Sequence, residues 1–331
     1  MMSVLTYFCA LVPIPLFLLT LLLMDGFALT GWKRLVWCMI SGVFCCLICK
    51  FIYFIFGVEG NKLVASIVEE FFKGTIIIWM AVRKRIGLLG DATIYGSAIG
   101  VGFGMADNVL TLATHSGISA THSILLGFEA AVMHIGCTSL LAMVVIMAMQ
   151  EKFGKSLKSK RLGMGAAFLA AIVVHYVHAL EPLPPLILTS LLVVYFGISK
   201  YSLFKKNERF IHEWIDMSMG NDVALLSSMK RGELSTTNAG KYLQSLKERF
   251  EPETFFDMLC YISEYLNLSI SAKSNLILKE AGFDPVHTDE DGARLAELKA
   301  LKKRIGATGE MALAPIVNIK DVDRWAVNEL I

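Results

Sequence analysis

The chain has 331 residues, of which 55% are hydrophobic and 18% charged, and its mean hydropathy is +0.58. That balance is not one of a water-soluble domain and points to a membrane protein. A net charge of +2 without a basic stripe carrying interleaved aromatics argues against nucleic-acid binding, and seven cysteines without CxxC or Cys/His spacing argue against a disulfide framework or a structural zinc site.

Crossing the hydrocarbon takes about 20 apolar residues, and seven segments meet that length, at roughly 3–24, 35–56, 61–82, 92–113, 123–149, 163–180 and 184–204. The first has no basic residue ahead of it, Lys33 being the first cation, so it reads as a retained span rather than a signal peptide. Cations follow every second span: Lys33 and Arg34, then Arg83, Lys84 and Arg85, then Lys152, Lys155, Lys158, Lys160 and Arg161, then Lys200, Lys205, Lys206 and Arg209. The alternate loops 114–122 and 181–185 carry none. By the positive-inside rule the N-terminus is outside and the C-terminal part cytoplasmic. The expected fold is all-α: a polytopic membrane helix bundle of about seven spans over 1–204, then a cytoplasmic helical domain over 205–331.

Within the third span stands IVEEFFKG, 67–74, although an ionisable group in a bilayer costs ~2.5–3.5 kcal/mol or more. A helix rises ~1.5 Å per residue. With the orientation above, Glu69 and Glu70 lie about 12–14 Å below the outer surface, and Asp107 and Asn108 of span four about 8–9 Å below it. His134 of span five lies about 16 Å down, and His175 and His178 of span six about 3–8 Å. Four spans thus bring acids and imidazoles to the outer half of the membrane. Residues three or four apart share a helix face, which pairs Glu69 or Glu70 with Lys73, Phe103 with Asp107, His134 with Thr138, and His175 with His178. Gly96, Gly100, Gly102 and Gly104 let span four approach its neighbours closely. Lys50 and Glu129 read as structural or snorkelling side chains, and a single wet cavity facing outward is the expected site.

The order Glu69-Glu70-Phe71-Phe72-Lys73, then Phe103 to Asp107-Asn108, then His134 to Thr138, then His175-Tyr176-Val177-His178 resembles the PrsW family of intramembrane proteases, related to the CAAX prenyl proteases. The resemblance covers about residues 61–180, with Asp107 where the family usually has Glu. It implies an intramembrane endopeptidase that cuts single-pass membrane proteins, such as anti-sigma factors, near the outer membrane face. It also implies Glu69, Glu70, His134 and His175 as the catalytic residues, supported by Lys73, Phe103, Asp107, Asn108, Thr138 and His178.

Hydrolysis needs an activated water, an oxyanion partner and a proton donor. Glu69 is the favoured base, Glu70 orients or shares the proton, Lys73 pairs with a carboxylate, and His134 and His175 bond the water and the oxyanion. No HExxH is present, and metal-free chemistry is favoured. Zinc is the alternative, with Glu70, His134 and His175 as ligands. The rival outside the enzymes is a metal-ion or proton transporter using the same acids and histidines. The apolar stretch 140–149 is a poor fit to a path through the full depth. Residues 205–331 show helical spacing at 221–229, 235–250, 252–268, 272–281 and 289–305, punctuated by Gly220, Gly232, Gly282, Gly306 and Gly309. They suggest a regulatory or protein-binding module, with homo-oligomerisation open to it. A bacterial cytoplasmic membrane is the expected location.

Overall fold

In a computed structural model of the chain, residues 4–23, 30–83, 85–114, 118–149, 157–286, 288–317, 323 and 325–327 are described. Among these, every regular element is helical. In chain order they are α1 (Val4–Leu11), α2 (Pro13–Leu23), α3 (Trp32–Phe56), α4 (Lys62–Val82), α5 (Leu89–Thr114), α6 (Ala120–Ala130), a π-helical turn (Ala131–Ile135), α7 (Gly136–Met149), α8 (Leu157–Leu180), α9 (Pro185–Lys230), a 3₁₀ turn (Leu234–Thr236), α10 (Asn238–Lys247), α11 (Pro252–Glu280) and α12 (Asp289–Leu313). Contacts divide the chain into Met1–Asn207 and Glu208–Ile331, the boundary falling inside α9.

In the first unit α5 is the central helix, buried without interruption from Gly90 to Gly104. It can be so enclosed because glycines line two of its faces. A Cβ on Gly100 would stand 2.6 Å from the His134 carbonyl oxygen, and one on Gly96 2.8 Å from that of Thr138. Gly102 faces the other way, against the backbone of Met39 on α3. Glycines four apart therefore seat α5 against the π turn and α7, while Gly102 seats it against α3. Ile77, Met80, Ile99, Ile135, Leu141 and Val145 fill the core between these helices. Phe44, Phe51 and Phe54 on α3 and Leu191, Val194 and Ile198 on α9 stay exposed, as side chains that meet lipid would.

Five segments are long and apolar enough to cross a membrane, at Val4–Leu23, Trp32–Phe56, Ala120–Met149, Arg161–Leu180 and Pro185–Lys230. The expected third and fourth spans form as α4 and α5, 21 and 26 residues long, and fall outside that set. α4 carries its ionisable residues on the face it buries, with Ser66, Glu69, Glu70, Lys73, Gly74 and Ile77 all inside.

The second unit has its own core of Leu243, Met258, Ile262, Leu266, Leu301 and Ile305. Two expectations are corrected here. The break expected between 268 and 272 does not occur: no breaker stands there, buried Leu268, Ser269 and Ala272 continue the inward face, and α11 runs through. Gly220 ends nothing, lying inside α9 with no atom within 4 Å of a Cβ placed on it. Gly232 and Gly282, at φ 73° and 81°, do end helices, because the left-handed region favours glycine. Thr288 and Asp291 close a reciprocal capping box at the start of α12, and Gly306 at φ 65° kinks that helix.

Candidate active site

The four residues expected to be catalytic converge. Glu69, Glu70, His134 and His175 are each at most 6% exposed, so the site is an enclosed cluster and not the open wet cavity expected. Glu70 is fully committed on one oxygen: its Oε1 accepts from Lys73 Nζ at 2.5 Å and faces His175 Nδ1 at 2.9 Å. Turning Nδ1 to a carboxylate makes it the protonated nitrogen and leaves a lone pair on Nε2. That Nε2 lies 3.6 Å from Glu69 Oε2. Glu69 Oε2 and Glu70 Oε2 are buried without a hydrogen-bond partner, and buried polar atoms of this kind mark the place of a water or ion.

His134 is presented by the π turn, a helical irregularity frequent at functional sites. Its ring stands edge-on to His175 with centroids 5.7 Å apart and leans on Phe103 at 4.8 Å. Lys73 Nζ lies 4.7 Å from the centre of the same Phe103 ring, so that ring carries both an imidazole and a cation. Asp107 Oδ2 is 3.9 Å from His134 Nε2, beyond hydrogen-bond length, while Asp107 Oδ1 is 2.6 Å from Lys50 Nζ.

Not every expected residue joins the cluster. Asn108 spends its amide on the Ala10 carbonyl at 3.0 Å, tying α5 to α1. Thr138 is buried with an unpartnered hydroxyl and packs at Gly96, one turn earlier in α5 than the Gly100 contact of His134. His178 is partly exposed. Two groups missed by sequence reasoning come from α3. Lys50, read as structural or snorkelling, has Asp107 as its ion partner, and the Tyr53 hydroxyl donates to Glu69 Oε1 at 3.1 Å. A tyrosine in an apolar span gives no signal; the Lys50–Tyr53 spacing of one turn is visible only once the acids they meet are known.

These donors suit a divalent metal in chemistry. Two ligands on one tetrahedral zinc stand roughly 3.3–3.5 Å apart, close to the 3.6 Å between Glu69 Oε2 and His175 Nε2. A carboxylate on the far ring nitrogen, here Glu70, is the usual support of a ligating imidazole, and His134 Nδ1 is buried and unpartnered. Elsewhere among the described residues, exposed Glu208, His212 and Glu280 bring their ligand atoms within 4.8 Å of one another.

No curated protein and no solved structure matches the chain. The family model of the PrsW family intramembrane metalloproteases matches residues 21–201, more than half of the chain and every helix that supplies a group to the cluster. With that match and this buried assembly of acids and imidazoles, the chain belongs to the PrsW family, and is a multi-pass membrane peptide hydrolase.

Proposed function

We propose that the chain cuts single-pass membrane proteins near the outer face of a bacterial cytoplasmic membrane, with Glu69 as the general base. The observation that carries this reading is the contrast between the two adjacent carboxylates. Glu70 is tied through Oε1 to Lys73 and to His175 Nδ1, and although both carboxylates keep a buried, unpartnered Oε2, that of Glu69 is the one that lies 3.6 Å from His175 Nε2. A water placed between these two atoms gives one proton to Glu69 Oε2 and directs its other hydrogen to the Nε2 lone pair. Its oxygen then attacks the scissile carbonyl carbon, and the carbonyl π pair moves to oxygen. His134, whose Nδ1 is unpartnered, offers an N–H to that oxyanion. The proton held on Glu69 passes to the leaving nitrogen as the C–N bond breaks. Enclosure of the cluster keeps other water away and strengthens each of these interactions.

The cation-rich loops after alternate spans support an outward N-terminus. In that orientation the carboxylates lie in the outer half of the bilayer, and a single-pass membrane protein such as an anti-sigma factor would be cut after its transmembrane helix is presented sideways. The family's description as metalloproteases and the 3.6 Å pair favour one second reading, in which Glu69, His175 and His134 hold zinc. Zinc would supply Lewis acidity at the scissile carbonyl.

The test is a comparison of membrane-protein fragments in bacterial cells making the chain or its Glu69→Gln variant. Fragments ending near the outer boundary should depend on Glu69, with the cleavage rate down by about 10²–10⁴ in the variant. Equal fragment patterns at equal expression reject the role. Cleavage by the purified protein that disappears in a strong chelator and returns with zinc moves Glu69 from base to ligand.

A further inference from the structure

We infer that Tyr53 is a positioning residue for hydrolysis: its phenol holds one oxygen of Glu69 and so aims the other at the water. This rests on Glu69 as the acting carboxylate. Tyr53 is 5% exposed and sits in the last turn of α3. That turn is fixed by Gly57, which at φ 62° closes the helix by donating its N–H to the Tyr53 carbonyl. The hydroxyl has two acceptors in reach, Glu69 Oε1 at 3.1 Å and the Ala65 carbonyl oxygen at 3.2 Å. A phenol has one proton to give. The Ala65 carbonyl already accepts from the helix ladder of α4, and a carboxylate is the stronger acceptor, so the proton goes to Oε1.

The consequence is geometric. Glu69 has a long side chain whose rotamer freedom must be removed for its oxygen to meet a water productively. Lys73 cannot do this, since its ammonium is on Glu70. His175 Nε2 is 3.6 Å from Oε2 and leaves it open. With Oε1 anchored by Tyr53, Oε2 is the oxygen that remains, and it is the one turned to His175. Lys50, one turn earlier on α3, binds Asp107 at 2.6 Å and lies 6.0 Å from the Tyr53 ring centre. One face of α3 therefore steadies an acid on α4 and an acid on α5.

The experiment uses the full chain in lipid nanodiscs with a membrane protein found in the fragment comparison as substrate. Tyr53→Phe keeps the ring and removes the proton. The expected result is a kcat lower by about 10- to 100-fold, the effect of losing one hydrogen bond to a charged group, with KM unchanged and the unfolding midpoint kept. Should that variant fold poorly, para-methylphenylalanine at position 53 fills the phenol's volume without its proton, and the same loss of kcat is expected. An unchanged kcat in the folded variant, or a loss that appears only in KM, overturns the role of Tyr53 and leaves Glu69 as it was. A wild-type protein that cuts nothing overturns the hydrolase reading, and this role with it, before any variant is made.

Discussion

Glu70 and Lys73 are both wholly buried and in direct contact, which makes them partners that neither can lose alone. Removing one member of a buried ion pair leaves an uncompensated charge and costs ~3–5 kcal/mol. Lys73→Met should destabilise the protein by about that amount, and the double variant Glu70→Gln with Lys73→Met should lose less than the single one. Chemical unfolding of the wild type, the Glu70→Gln and Lys73→Met single variants and the double variant in the same detergent measures both. A single-variant loss as small as that of an exposed pair would mean that water reaches Glu70. At this scale the acids and imidazoles were legible because burying them is costly, so Glu69, Glu70, His134 and His175 announce a site from sequence. Lys50 and Asn108 were not legible. A lysine near a span end looks the same whether it reaches headgroups or an aspartate, and an asparagine beside Asp107 looks like a site residue until Ala10 is found to take its amide.

Elements decide where those side chains point. His134 depends on two irregularities together, the π turn that displays it and the missing side chain of Gly100 opposite. The atoms nearest a Cβ at Gly100 would be backbone, the His134 carbonyl oxygen at 2.6 Å and Ile135 Cα at 2.8 Å, so no rotamer change relieves the clash. Gly100→Ala should cost about 1–3 kcal/mol by overpacking and lower cleavage more than tenfold through displacement of the imidazole, an effect of the size that small misplacements produce. Gly165→Ala on α8, where nothing stands within 4 Å, should be neutral or gain up to about 1 kcal/mol. Unfolding midpoints and fragment yields for the two variants check this pair, and equal behaviour would mean that α5 can retreat without moving the π turn. The glycines of α5 were readable as a packing signal. The π turn was not, because one inserted residue leaves the apolar pattern of Ala120–Met149 continuous.

On the scale of the molecule, the cluster lies wholly within Met1–Asn207, and the second unit holds a different buried polar network. There Lys273 Nζ contacts Asp222 at 2.5 Å, and Trp214 Nε1 donates to Asp323 at 2.9 Å. Tyr265, 5% exposed, is placed beside it. Burial holds its phenol well above the ordinary value of 10.0, and the charges of Asp323 and Asp222 push in the same direction. The folded unit therefore keeps this proton at a pH where the unfolded chain has released it. The unfolded chain binds fewer protons in that window, so stability falls as pH rises. The contribution is intact below pH about 10 and declines by ~1.4 kcal/mol per pH unit above it. Tyr265→Phe has no proton to lose and should remove that share of the alkaline slope. Hydrogen exchange of α11 in the full chain, read from pH about 9 to 11, compares the two. Parallel slopes in wild type and variant would mean that Tyr265 ionises in place and that water already reaches the inner face of α11.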